Sequence, residues 1–268
     1  MLSAAGGTVA AVLPLEYLRH LARQPADAGR HFLEEVAACL GEFEHDPSDL
    51  VMACRRLLAH QRANAPLWWM CARICAAPRP RAAATEAARV LSDDQTGPRL
   101  AGALPFPHDG TIAVFEWPDA VADAVASRPD LDVVAVATPA DARSLRRRLR
   151  FEEAFRTAAT DELPGLAPSH FLVEALAASR DTVLLPDGGR RALDALPATT
   201  QAWIVIRAGR LLPDRLFEAL QQASALPSEQ VVGLERADRL ATPDGVRDAA
   251  DGPGVPSCPV PPELLRPF

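Results

Sequence analysis

Apolar residues recur at helical spacing from Leu15 to about residue 103, and then the spacing changes. In "LEYLRHLARQ", Leu15, Leu18 and Leu21 fall on one stripe, and "RHFLEEVAACLGEF" repeats the pattern with Phe32, Leu33, Val36, Leu40 and Phe43. "DPSDLVMACRRLLAHQ" opens with Asp46 before Pro47, a capping residue followed by a first-turn proline. "APLWWMCARICAAP" is apolar nearly all round and reads as a central helix closed by Pro78, with "RAAATEAARVLSDD" as one more helix. These segments predict an α-helical N-terminal domain over residues 1–104.

From residue 105 short apolar runs alternate with helical patterns. "GTIAVFEW" (110–117), "LDVVAVAT" (131–138), "FRTAAT" (155–160), "HFLVEAL" (170–176), "DTVLLP" (181–186) and "AWIVIRAG" (202–209) read as strands, the last of them the last strand before the helix "PDRLFEALQQA". "PDAVADAVASRP", "PADARSLRRRLR", "RRALDALPATT" and "PDRLFEALQQA" read as helices between and after them. Near-continuous apolar strands with intervening helices predict a parallel sheet covered on both faces, an α/β Rossmann-like domain over residues 105–223. Residues 224–268 are rich in Pro, Asp and Gly and read as a loosely ordered tail in which Val231 and Val232 could pair on an edge.

Composition narrows the chemistry. The 268 residues carry a net charge of −7 with pI near 5.4, which argues against a nucleic-acid binder held by phosphate neutralisation. No apolar run reaches the ~20 residues that span a bilayer. The N-terminal "MLSAAGGTVAAVLPLEY" lacks a basic leader region, so a cytoplasmic protein without membrane contact is expected. Lysine is absent, so neither a Schiff-base nor a P-loop lysine exists, and no cofactor is expected. Of the five cysteines, Cys71 and Cys75 share a helix face. They could bind a metal with His20, His31 or His60, but the usual burial of free cysteine favours a core stripe and no metal. The basic run Arg143 to Arg150 reads as a solvated helix face, adjacent Trp68 and Trp69 as one core and one inter-domain residue, and His108 as a loop residue.

Three features could form a site. The turn Asp187, Gly188 and Gly189, with Arg190 and Arg191 opening the next helix, could grip an anion through backbone N–H groups, or be a tight turn with two solvated arginines. Glu116 and Glu174, at or near strand ends, could converge as an acid–base pair, or each could simply bond a neighbouring loop. Glu174 interrupts an apolar run, and a buried carboxylate needs a partner, for which Arg207 is the candidate.

The stretches "DGTIAVFEWPDAVADAV", "DVVAVATPADARSLRRRL" and "FLVEALAASRDTVLLPDGGRRALDAL…AWIVI" resemble, over residues 105 to 215, a family with this order of elements. It holds the regulatory (alpha, beta and delta) subunits of eukaryotic initiation factor 2B, methylthioribose-1-phosphate isomerase and ribose-1,5-bisphosphate isomerase. The isomerases' catalytic cysteine is replaced by the loop Glu116-Trp117-Pro118-Asp119, and Leu176 stands at their catalytic aspartate. Their Glu-x-Arg-Pro motif reads Ala137-Thr138-Pro139, and their Asn-Lys pair after the Asp-Gly turn reads Gly189, Arg190 and Arg191. The resemblance therefore implies a divergent, non-catalytic member that binds a phosphorylated small molecule or a protein partner. Its alternative is an aldose–ketose isomerase with a rearranged acid–base pair. It also implies a homodimer formed through the α/β domain.

Overall fold

Five helices open the chain: α1 (Pro14–Ala22), α2 (Gly29–Gly41), α3 (Pro47–His60), α4 (Ala65–Cys75) and α5 (Pro80–Ser92). The structure, a computed structural model, describes residues 14–24, 29–104, 110–148, 156–224 and 226–267. Residues 1–13 of the N-terminal stretch, His108, Leu149 and Arg150 lie outside the described residues. Asp46 caps α3 as expected, its Oδ1 accepting from the N–H groups of Ser48 at 3.0 Å and Asp49 at 2.9 Å. The apolar helix α4 is buried along most of its length. Trp68 and Trp69 both lie inside this helical cluster, Trp69 beneath the Arg73 guanidinium and the C-terminal Cys258, so neither serves as an inter-domain contact alone. Cys71 is buried in the same core and Cys75 lies at its edge.

Helix α6 (Thr96–Ala103) leads into strand β1 (Ile112–Phe115), followed by α7 (Asp119–Ala126), β2 (Val133–Ala137), α8 (Ala142–Arg148) and β3 (Arg156–Ala159). After the short α9 (Leu163–Leu166) come β4 (His170–Glu174), β5 (Ala177–Ala178), β6 (Thr182–Leu184) and α10 (Gly189–Asp194). The chain continues through β7 (Gln201–Val205), α11 (Asp214–Ser224), β8 (Val231–Gly233), β9 (Arg239–Thr242) and β10 (Gly245–Asp248). The main sheet runs β3-β2-β1-β4-β7-β9-β10, parallel except for the last strand, while β5, β6 and β8 make a separate antiparallel sheet. Successive residues of each central strand alternate between two cores. Ile112, Val114 and Leu172 face α6, α7 and α8; Ala113, Phe115, Phe171 and Val173 face α10 and the small sheet. Burial on both faces is what the continuous apolar runs required. Arg143, Arg146 and Arg147 are exposed around buried Leu145, a solvated face on α8.

The C-terminal segment differs from the loosely ordered tail expected of its composition. It adds β8 to the small sheet through Val231 and Val232, and β9 pairs with β7 inside the main sheet. Cys258 and Leu264 are buried in the helical cluster, and Arg55 on α3 donates to the carbonyls of Glu263 (2.7 Å), Arg266 (3.0 Å) and Pro267 (2.6 Å). The division at residue 104 is likewise crossed: α6 packs on the sheet with α7, and α11 packs on the helical cluster.

Candidate functional site

The strand order β3-β2-β1-β4-β7-β9 reverses direction between β1 and β4, and in open parallel sheets the crevice beyond the strand C-termini at such a reversal is where ligands bind. Glu116 follows the last residue of β1, and Glu174 is the last residue of β4. Both line a cleft of about 1080 Å³ bounded on the far side by Leu33 of α2, Ala63 to Pro66 at the start of α4 and the end of α5. The helical cluster therefore roofs the C-terminal edge of the sheet.

Glu116 and Trp117 both adopt left-handed backbone, with φ 62° and 66°. Two consecutive non-glycine residues in that region store of the order of 1–3 kcal/mol each, strain that concentrates at functional sites. The strain turns the chain from β1 through Pro118 into α7 and places Glu116, Trp117 and Asp119 on the cleft wall.

Glu174 is only 5% exposed. Its Oε1 lies 2.7 Å from Arg210 Nη2, and its Oε2 is buried without a hydrogen-bond partner among the described residues. Arg210 rather than Arg207 is thus its direct partner. Gly209, with φ 76°, turns the chain back after β7 so that Arg210 reaches both Glu174 and the Ala175 carbonyl; a Cβ there would meet Leu91 Cδ2 at 2.6 Å. Burial pushes the Glu174 carboxyl above its usual range, against the pull of Arg210 and then Arg207. Burial likewise pushes the Arg210 guanidinium below its own range, against the pull of Glu174.

Arg207 instead bonds Asp94, Nε to Oδ2 at 2.9 Å, tying the sheet to the loop after α5. Burial acts to raise the Asp94 carboxyl, but hydrogen bonds from Thr96 and Arg207 outweigh it and leave it low. Asp94 was not among the residues singled out from sequence. The only sequence signal was its place in "SDDQT", where it reads as a helix-end acid.

The Asp187–Gly189 turn follows β6 of the small sheet, not a strand of the main one, and α10 after it has six residues. It flanks the cleft: Pro186 lines the wall, and Gly188 abuts Thr138 and Phe115. Arg190 and Arg191 are exposed, with Arg190 Nε 3.8 Å from Asp194, which also pairs with Arg236. The departures from the isomerase pattern take concrete positions as well. Leu176 lines the cleft, while all five cysteines are assigned to the helical cluster or its edge and none lines the cleft. Among the described residues no group of three or more His, Cys, Asp or Glu is placed to hold a metal ion, and no helix is long and apolar enough to cross a membrane.

Helices over a mostly parallel sheet with a cleft at the order reversal define an α/β protein of Rossmann-like type. Its fold is that of the initiation factor 2B subunits. Translation initiation factor eIF-2B of Pyrococcus horikoshii OT3 superposes with a TM-score of 0.64 at 14% identity, over 94% of this chain and 98% of that one. The eIF2B beta subunit of Chaetomium thermophilum gives 0.63 at 13% identity, over 88% and 86%. A chain of the tetrameric eIF2B-beta2-delta2 complex of C. thermophilum gives 0.60 at 12%, over 88% and 91%. No family model matches the sequence, and no curated protein matches it.

Proposed function

We propose that this chain is a non-catalytic, initiation-factor-2B-like cytoplasmic protein that binds a phosphorylated small molecule at the sheet edge. The body of the ligand enters the cleft, and its phosphate ester sits at the rim on the Asp187–Gly189 turn with Arg190 and Arg191. The observation that carries the reading is Glu174, a buried carboxylate at the order reversal whose Oε2 has no protein partner among the described residues and whose side chain forms part of the cleft wall. The non-catalytic part draws on Leu176 in the position of the isomerases' aspartate and on the placement of the cysteines away from the cleft.

Titration calorimetry with a panel of sugar phosphates and nucleotides tests the rim. The double change Arg190→Ala with Arg191→Ala is expected to weaken phosphate-ester binding by at least ~1.5 kcal/mol, the lower end for hydrogen bonds to charged groups. Stability should change by no more than ~0.5 kcal/mol, because both side chains are exposed. Equal binding by parent and double variant, or no binding by either, would sink the phosphate assignment.

The sugar-phosphate isomerase is the second reading, favoured by one observation: burial holds the Glu174 carboxyl high, in the direction a proton shuttle between neighbouring carbons needs. We expect no turnover of methylthioribose-1-phosphate or ribose-1,5-bisphosphate by the purified protein. Turnover abolished by Glu174→Gln would replace the first reading with this one.

The C. thermophilum beta and delta chains are described as a tetrameric complex, and by that likeness we propose that this chain pairs through its α/β domain. Light scattering at micromolar concentration should give twice the 28.7 kDa chain mass, and a single-chain mass would rule pairing out.

A further inference from the structure

Residues 253–267 are held differently from the rest of the chain. Six of these fifteen residues are prolines and lack an N–H. Among the described residues no backbone–backbone hydrogen bond joins the segment to any other part of the protein; those it makes are its own, such as Leu264 N–H to the Pro261 carbonyl at 3.1 Å. Its polar ties come from side chains instead. Arg55 of α3 donates to three of its carbonyls, and Arg73 of α4 donates from Nη1 to the Ser257 carbonyl at 2.8 Å. Cys258 donates from Sγ to the Trp69 carbonyl.

The apolar anchors are as regular. Cys258, Pro261 and Leu264 are buried at every third position, the repeat of a polyproline-type chain that shows one face to its support. Just before them Gly252 and Gly254 turn the chain at φ 69° and 98°, and Val255 is 91% exposed, so the joint to the body is itself unpacked. Lifting such a segment breaks no sheet ladder and no helix of the body, which are the bonds that make opening global.

We infer that residues 253–267 form a releasable strap, closed over α3, α4 and α11 by Arg55 and Arg73, that opens as one unit while the rest of the fold stays intact. The open state bares the seat of Leu264 among the helices and the Cys258 thiol, so the strap controls access to that apolar surface.

Pulsed alkylation of the full-length chain with iodoacetamide, read by mass spectrometry, tests this, with fully buried Cys71 of α4 as the internal control. Cys258 is expected to react at least about tenfold faster than Cys71. Its rate should change little in dilute urea, while that of Cys71 rises steeply, because only global unfolding exposes large new surface. Arg55→Ala and Leu264→Ala, the latter six residues from the thiol, should each speed Cys258 by about tenfold or more and keep the shallow urea dependence. The inference is overturned if Cys258 and Cys71 react at one rate with one steep urea dependence, since the segment then opens only with the whole protein. It is equally overturned if Cys258 is fast but neither variant moves it, since the end then frays piecemeal. Should a variant fail to fold, hydrogen exchange in the parent decides: the Leu264 and Leu265 amides should give the opening constant that Cys258 gives, and separate constants would overturn the single unit.

Discussion

Replacing Arg210 with alanine is expected to destabilise the protein by about 3–5 kcal/mol, because it leaves Glu174 as an uncompensated buried charge. The two side chains are 19% and 5% exposed, so the pair belongs to the buried class and not to the surface class worth little. Urea denaturation at neutral pH measures the loss. A double change to Arg210→Met with Glu174→Leu should recover most of it, since a matched apolar pair removes the desolvation cost along with the attraction. The deficit of Arg210→Ala should also shrink in acid. A carboxyl raised in the folded state binds its proton more tightly there than in the unfolded chain, so the folded form gains as pH falls through the folded-state range, beginning above the ordinary value of 4.5. Measuring variant and parent at each pH separates this gain from the opposite behaviour of Asp94. That carboxyl is held low, and its stabilisation is lost as pH falls. A cost below about 1 kcal/mol for Arg210→Ala, the upper limit for a surface pair, would show that the pair is not what holds this end of the sheet.

Gly188→Ala carries the second large effect, about 2–5 kcal/mol. The residue sits at φ 77°, where a side chain costs roughly 1–2 kcal/mol, and a Cβ would overlap Thr138 Cγ2, an overpacking of a further ~1–3 kcal/mol. The two contributions can be separated. Thr138→Ser removes the clashing methyl and keeps the hydroxyl that donates to Asp141 Oδ2 at 2.6 Å, so it should restore the steric part in the double variant but not the conformational part. Thermal unfolding of the four proteins gives the cycle, and full rescue or none would contradict the geometry. Gly188 is thus explained by close packing of the turn against the end of β2, whether or not an anion binds there.

The central strands β1, β2, β4 and β7 were legible because each is a run of four or five residues, nearly all buried, a pattern that few other structures require. "GVRD" escaped for the converse reason, and "RLAT" escaped although three of its four residues are buried, because so short a run opening on Arg shows no strand pattern. β9 and β10 lie toward one side of the sheet, β10 has no buried residue, and short strands bearing Arg and Asp look like loop. The site was legible in part. Glu174 drew notice because a charge inside an apolar run demands a partner, but sequence spacing suggested Arg207, and only the reversal at Gly209 brings Arg210 to it instead. Asp94 was invisible because its role depends on a contact with Arg207, 113 residues away, that no local pattern encodes. The strain at Glu116 and Trp117 is likewise a property of the folded backbone alone.

The placement of β9 beside β7 and of Leu264 among the opening helices has a consequence for synthesis. The hydrophobic cluster that contains Leu18 and Leu21 is completed by a residue some 240 positions later, and the sheet gains its sixth strand only after α11 has been made. Contacts so distant along the chain impose a loop-closure cost before they return any stability. During translation the helices can form and collapse early, yet their apolar surface stays incompletely covered until Leu264 has left the ribosome. Closure of this cluster therefore comes late in synthesis, and a nascent chain stalled before residue 239 would expose the flank of β7 to any other strand that could pair with it.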